Sequence, residues 1–474
     1  MRQNLWIDGR WRETEGYALL KSPFDGEVLA EVAQAGEAET RQAIEAAERA
    51  ASAMARMPAH ERSAILERVV RSMESRREEL ARLLTQEAAK PLKTARGEIA
   101  RTIQTYRFAA MEATRIHGET IPMDAAPGGE GRMAYTVRKP IGVVGAITPF
   151  NFPFNLVAHK VGPALAAGNT VVLKPAGQTP LSALALGELF AEAGLPAGAL
   201  NIIPGKGSVV GEALVADPRV KAITFTGSPE VGIALRNKAG LKRVTLELGS
   251  NSALILDSDI ELDEALIERC ALGAFSYSGQ VCISIQRIYV HRSRLEEFLD
   301  KFAEAARRLK VGDPSLEETD VSALIHPKEA KRIDEWVQAA VKRGARIVAG
   351  GRARTESVYE PTILTGVPED EPLSCQEAFG PIVCVEAIDS IDEAIDRVNR
   401  SRYGLQAGLY TRDIHTAMRA ADLLEVGGVM INDFPTFRVD HMPYGGVKES
   451  GVGREGIKYA IEELTELKLI SIRL

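Results

Sequence analysis

The sequence predicts an α/β protein of two units built on parallel sheets, with a small β element outside them. Three observations predict it. From Val143 to Asp257, short apolar runs (GVVGAITP, NTVVLKP, LNIIPG, KAITFTG, VTLELG) alternate with helical stretches, and most end in Gly or Pro. Near-continuous apolar strands with helices between them indicate a parallel sheet covered on both faces. The alternation repeats from about 250 to 440 around NSALILD, RIYVHRS, FGPIVCVEAI and VGGVMIND. The 474 residues are also roughly three times a ~150-residue domain.

Taken in order, residues 1–117 are mostly helical in pattern. Leu66, Val69, Val70, Met73, Leu80, Leu83 and Leu84 keep a 3.6-residue period from Ala64 to Leu84, and a second amphipathic run spans about 94–116. Gly118–Met123 and Arg132–Arg138 then form a hairpin pattern around AAPGGEG. The tail TELKLISIRL places Leu467, Leu469, Ile472 and Leu474 mainly at even spacing, as a strand does. A lone hairpin or tail strand is marginal in water. The two are therefore expected to pair and to complete a sheet across a subunit interface.

Composition narrows the function. With 58 Lys+Arg against 65 Asp+Glu the net charge is −7, which argues against a nucleic-acid-coating protein. No run approaches the ~18 apolar residues of a membrane span, and MRQNLWIDGRW lacks a secretory leader pattern. Four cysteines without a C-x-x-C pair, and seven histidines without i, i+4 spacing, suggest neither a disulfide scaffold nor a metal site. A cytoplasmic protein is expected.

Parallel sheets bind ligands beyond the carboxyl ends of their strands. Here those loops are TPFNFP (148–153), KPAGQTP (174–180), PGKGSVVG (204–211) and FTGSPEVG (225–232), and the chain is read as carrying no G-x-G-x-x-G fingerprint. Thr226-Gly227-Ser228 ends one strand where a helix begins, so the first amides and the Ser228 hydroxyl suit a pyrophosphate. Gly205 and Gly211 bracket another helix start, where an adenine would lie close. Lys174 ends a strand where a ribose would sit. After it no acid appears until Glu188, so nothing nearby repels a 2′-phosphate, and Lys174 with Lys206 would attract one. NAD and NADP are both allowed.

Cys282, in SYSGQVCISIQR between a helix and a strand, is the candidate nucleophile. Cys270, Cys375 and Cys384 read as small hydrophobes. Glu247 in VTLELGSN lies mid-strand among apolar residues, where burial raises a carboxyl pKa and makes a base useful near neutrality. The Asn151 amide and the Cys282 backbone N–H would stabilise an oxyanion. Glu377, beside Phe379 in QEAFGP, suits a nicotinamide ribose or is a plain loop acid.

In this order, TPFNFP, KPAGQTP, FTGSPEVG, LELGSN, SGQVCISIQR, QEAFGP and PYGGVKESGVG resemble the aldehyde dehydrogenase superfamily over essentially the whole chain. The resemblance implies a dinucleotide-binding domain (1–117 and 139–249), a catalytic domain (250–445) and an oligomerisation β element (118–138 and 460–474), assembled as a homodimer or homotetramer. It implies NAD(P)-dependent oxidation of a small-molecule aldehyde, with Cys282 as nucleophile, Glu247 as base and Asn151 in the oxyanion hole. It further implies cofactor contacts from Thr148, Pro149, Phe150, Lys174, Gly177, Gly205, Gly211, Phe225, Gly227, Ser228, Leu248, Glu377 and Phe379. Three positions depart from the family pattern. Gly177 replaces a ribose-binding glutamate, Ser250-Asn251 replaces Gly-Lys, and Phe150 stands where tryptophan is frequent. Glu247 favours hydrolysis over acyl transfer to coenzyme A, and the full catalytic set disfavours a non-catalytic structural protein. Val281 and Ile283 beside Cys282 argue against a phosphate clamp there. FRVDHMPYGG resembles the lactaldehyde and non-phosphorylating glyceraldehyde-3-phosphate branch. Arg107, His117, Arg438 and His441 are candidates for substrate contact or for surface salt bridges.

Overall fold

A computed structural model describes residues 2–474. Its eight-stranded sheet runs in the order Gly451–Val452, Arg243–Glu247, Val220–Thr226, Val143–Ile147, Thr170–Lys174, Leu200–Ile202, Leu5–Ile7, Arg10–Arg12. The five middle strands are parallel, and antiparallel strands close both edges. Every residue of Val143–Ile147 and Thr170–Lys174 is buried, as helices on both faces require. Strand order reverses at Val143–Ile147. The chain moves from it to Thr170–Lys174 and Leu200–Ile202 on one side, then crosses to Val220–Thr226 on the other. A crevice opens at the carboxyl ends of strands at such a switch point.

A second sheet of seven strands is parallel except at Arg346–Ala349. It contains the four strands expected from sequence together with Arg346–Ala349, Thr362–Thr365 and Gln406–Tyr410, whose apolar runs are too short to stand out. The tail strand Thr465–Arg473 pairs antiparallel with all of Arg132–Pro140, which also pairs with Thr120–Ile121. That pairing was expected.

The amino-terminal region departs from its helical expectation. Residues 2–33 form five strands of two to six residues, too short for a period-2 pattern to register. The helical run from Ala64 to Leu84 is two helices, Ala59–Ser75 and Arg77–Ala88, broken at Arg76 (φ −107°, ψ 16°). The apolar stripe survives the break because Leu66, Val69, Met73, Leu80 and Leu84 all stay in one core. His117 lies beyond its expected helix, which ends at Ala113.

Helices Leu92–Ala113, Asn155–Ala166 and Pro180–Glu192 pack around Tyr106, whose ring meets Phe190 edge-on at 5.5 Å. The Tyr106 hydroxyl is buried with no hydrogen-bond partner. A buried unsatisfied hydroxyl costs about 1–3 kcal/mol. Tyr106→Phe should therefore leave the thermal midpoint unchanged or raise it. A loss above ~1 kcal/mol in chemical unfolding would mean that the hydroxyl has a partner.

Candidate active site

The crevice at the switch point is a cleft of about 680 Å³. Its lining includes Thr148, Pro149, Phe150, Lys174, Gly177, Gly211, Phe225, Gly227 and Ser228, nine of the expected cofactor contacts. Its volume lies in the range of small-molecule sites. Ser228 is the N-cap of helix Pro229–Lys238, its side chain makes no capping bond, and it lines the cleft. These features fit a dinucleotide. Lys174 donates to its neighbour's carbonyl, Pro175 O, at 3.0 Å, and burial pulls its pKa down to about 8. A Cβ built on Gly177 meets nothing within 4 Å, so the missing acid there is not a packing requirement.

Four expected contacts lie outside this lining. Gly205 is a packing glycine, since a Cβ there would sit 2.6 Å from Val210 Cγ2 and 2.7 Å from Ala35 O. Lys206 is exposed and does not line the cleft either. Leu248 is buried behind Gly232, where a Cβ would come within 2.5 Å of Leu248 Cδ2. Glu377 and Phe379 stand beyond the cleft. Ser250 N–H donates to Glu377 Oε1 at 2.9 Å, and the Phe379 ring meets Phe150 edge-on at 5.8 Å. Burial pushes the Glu377 carboxyl up to about 7 against the pull of that N–H. The spelling G-x-G-x-x-G does occur at Gly451–Gly456, but it precedes helix Ile457–Glu463 and lies outside the cleft.

Glu247 is the last residue of its strand, not a mid-strand residue, and its backbone carbonyl accepts from Gly227 N–H at 3.1 Å. The side chain is buried and neither carboxyl oxygen has a hydrogen-bond partner. Burial, and then the nearby Glu455 charge, push its pKa well above the carboxylate range. Cys282 Sγ lies 3.0 Å from the Tyr444 hydroxyl. Burial raises the thiol to about 11, with the Tyr444 bond and Arg438 opposing the rise. Tyr444 and Gly445 join the two groups. Tyr444 touches the sulfur, and a Cβ on Gly445 would fall 2.9 Å from Glu247 Oε1.

Behind them lies a chain of buried charges. The Arg438 guanidinium sits 3.6 Å over the Tyr444 ring and donates to Glu455 at 2.9 Å. Glu455 also accepts from Lys160 at 2.9 Å, and Lys160 donates to Thr224 at 3.1 Å. Burial alone would raise Glu455, but Lys160, His159 and Arg438 hold it below the ordinary range. Arg438 is thus part of the site. His441 is exposed against Phe108, and Arg107 pairs with Glu74 on the surface.

Asn151 is fixed at both ends. Its Nδ2 donates to Gln280 O at 3.0 Å, and its backbone carbonyl accepts from Lys90 Nζ at 2.6 Å. Lys90 is buried against Glu98, which accepts the Phe154 and Asn155 N–H groups at 3.0 and 3.2 Å. Just before Cys282, Tyr277, Ser278 and Gly279 all have positive φ (49°, 56°, 70°). Such non-glycine conformations cost ~1–3 kcal/mol each and persist only when neighbours hold them. Here Tyr277 OH donates to Ala88 O at 3.0 Å, and Ser278 Oγ to Ser322 O at 2.7 Å. Lys90, Glu98, Lys160, Tyr444 and Glu455 were not singled out from sequence. The one local signal is Pro91, which ends the helical pattern at Lys90 and lets the ammonium turn inward.

The sequence profile of the aldehyde dehydrogenase family matches residues 11–470. The 3-sulfolactaldehyde dehydrogenase of Priestia megaterium is 48% identical over 470 residues, 99% of this chain and 98% of that protein. The crystal structure of aldehyde dehydrogenase 21 from Physcomitrella patens, in complex with the reaction product succinate, superposes with a TM-score of 0.97. It is 41% identical, covering 100% of this chain and 98% of that one. Glyceraldehyde-3-phosphate dehydrogenase GapN from Methanocaldococcus jannaschii, complexed with NADP, gives 0.93 at 38% identity, over 98% of this chain and 100% of that one. With the family profile matching residues 11–470 and relatives matched over almost their full length, the chain belongs to the aldehyde dehydrogenase family.

Proposed function

We propose that the protein oxidises an aldehyde to a carboxylic acid with NAD or NADP, through covalent intermediates on Cys282. The observation that carries this reading is the meeting of Cys282 and Glu247 across Tyr444 and Gly445. The sulfur attacks the carbonyl carbon and its proton leaves to solvent or to Glu247. The resulting oxyanion is held by the Cys282 N–H and the Asn151 amide hydrogen not bonded to Gln280. A nicotinamide dinucleotide bound in the cleft supplies the hydride acceptor. Loss of hydride leaves a thioester on Cys282. Glu247 then takes a proton from water, whose oxygen displaces the thiol and releases the carboxylate.

Short aldehydes with a polar or anionic substituent are the favoured substrates. Arg438 supports this, being buried beside Tyr444 with its Nε unbonded. The relatives named for 3-sulfolactaldehyde and glyceraldehyde-3-phosphate, and the one holding succinate, point the same way. The three-stranded tail sheet supports a homodimer or homotetramer. It exposes Met133, Tyr135 and Ile472 on one face and Leu467 and Leu469 on the other, leaving apolar groups that a partner would cover. Four free thiols accord with a reducing, cytoplasmic compartment.

The pH dependence follows from Glu247. Its raised pKa keeps it protonated and inactive as a base at low pH, so kcat should rise as pH climbs through that raised value. Glu247→Gln should flatten this limb and cut steady-state turnover by at least ~100-fold while keeping a burst of reduced cofactor. Cys282→Ala should abolish both. Full steady-state turnover by the Gln variant would refute the water-activating role.

Comparing kcat/KM for acetaldehyde, lactaldehyde, glyceraldehyde-3-phosphate, succinic semialdehyde and benzaldehyde, each with NAD and NADP, tests substrate and cofactor together. The anionic aldehydes should lead by about tenfold or more, and NADP should be accepted. A lead for benzaldehyde, or failure with NADP, would count against this part of the reading. Sedimentation should give a dimer or tetramer, and a stable monomer at micromolar concentration would contradict the interface.

A further inference from the structure

On the flank of the second sheet a depression of about 390 Å³ is walled by four arginines, Arg287, Arg397, Arg400 and Arg402, against a single acid, Glu369. The three outer arginines have carboxylate neighbours. Arg397 pairs with Glu393 at 2.7 Å and Arg400 with Glu369 at 2.8 Å, while Arg402 lies 3.5 Å from Glu230 and 3.4 Å from Glu449. Arg287 differs. It is 7% exposed, donates to Asn251 O at 3.0 Å, Tyr289 OH at 3.2 Å and Arg397 O at 3.4 Å, and makes no ion pair among the described residues. Buried charges are ordinarily paired, because an uncompensated one is costly. Here the unpaired guanidinium forms part of a concave wall rich in further guanidinium groups, which favour phosphate and carboxylate oxygens through bidentate geometry.

We infer that this depression is a binding site for a small multivalent oxyanion that completes the charge of Arg287. The site is separate from the cofactor cleft but borders it, because Glu230, the partner of Arg402, lines that cleft. It also uses Asn251, in the Ser250-Asn251 pair where the chain leaves the family pattern. Asn251 Nδ2 donates to Ser374 O at 3.2 Å, and its Oδ1 accepts from Ser401 at 2.8 Å, so this wall is held in shape.

The test is calorimetric titration of the intact protein with inorganic pyrophosphate and with citrate at matched ionic strength, each with and without saturating NADP. At least one anion should bind once per chain and keep its affinity when NADP is present. Heat from pyrophosphate alone or from citrate alone identifies the phosphate or the carboxylate source. Arg400→Gln should weaken binding about tenfold, the loss of one charge-assisted contact. Arg287→Met should remove it, and should that variant fail to fold, the Arg400→Gln titration decides. Absence of heat with both anions, displacement by NADP, or unchanged affinity in Arg400→Gln would overturn the proposal.

Discussion

The buried pair of Lys90 and Glu98 is the constraint on which the catalytic geometry depends. Taking both charges out of water is costly, and such a pair adds little net stability over an apolar replacement, although removing one partner alone costs ~3–5 kcal/mol. What it supplies is position. Lys90 holds the Asn151 carbonyl, Glu98 satisfies the first amides of helix Asn155–Ala166, and the rings of Phe152 and Tyr277 face the ammonium at 3.8 and 4.4 Å. Asn151 reaches Gln280, and Gln280 N–H returns to Tyr277 O at 3.1 Å. Three distant segments are thereby closed into one ring around the Asn151 amide. A turn with three successive positive φ angles can persist beside Cys282 because this ring holds it.

The same site keeps one carboxyl unsatisfied. Glu247 has no hydrogen-bond partner, while Glu455, also buried, takes both Lys160 and Arg438. Two buried acids share one group of cations, and pairing with one leaves the other to carry a proton. Their titrations therefore belong to the pair. Glu455 is held ionised, and burial together with the Glu455 charge raises Glu247 well above the ordinary carboxylate range. Filling the Glu247 pocket with a partner would stabilise the fold and remove that property, a conflict common at active sites.

Much of this was legible in the sequence. Cys282, Glu247 and Asn151 lie where strands end or enter loops, and the loop residues from Thr148 to Ser228 meet in one crevice because alternating apolar runs fix a parallel sheet. What could not be read depends on long-range packing. Lys90 and Glu98 belong to segments whose charges normally face water, and only the fold makes them interior. Gly205 resembles a ligand-facing glycine in a strand–helix loop, yet its lack of a side chain serves the Ala35 backbone. Arg438 was ambiguous because the Glu455 carboxylate 17 residues on and the Tyr444 ring are brought to it only by the fold, so no local pattern could declare it buried. The five short amino-terminal strands carried too few residues for any period to emerge.

The segment PYGGVKESGVG shows how so few residues can tie the two large sheets together. Tyr444 bonds the sulfur, Val447–Lys448 pairs with Tyr403–Gly404, Ser450 O accepts from Leu248 N–H, and Gly451–Val452 pairs with the end of the Glu247 strand. Its glycines follow from these close approaches. A Cβ on Gly446 would fall 2.3 Å from Ser450 Cβ, and one on Gly451 2.4 Å from Leu246 O. A segment that must reach Cys282, Glu247 and both sheets within a dozen residues has no room for side chains where backbones meet. The glycine pattern is a consequence of that crowding, which brings the backbone between Cys282 and Glu247.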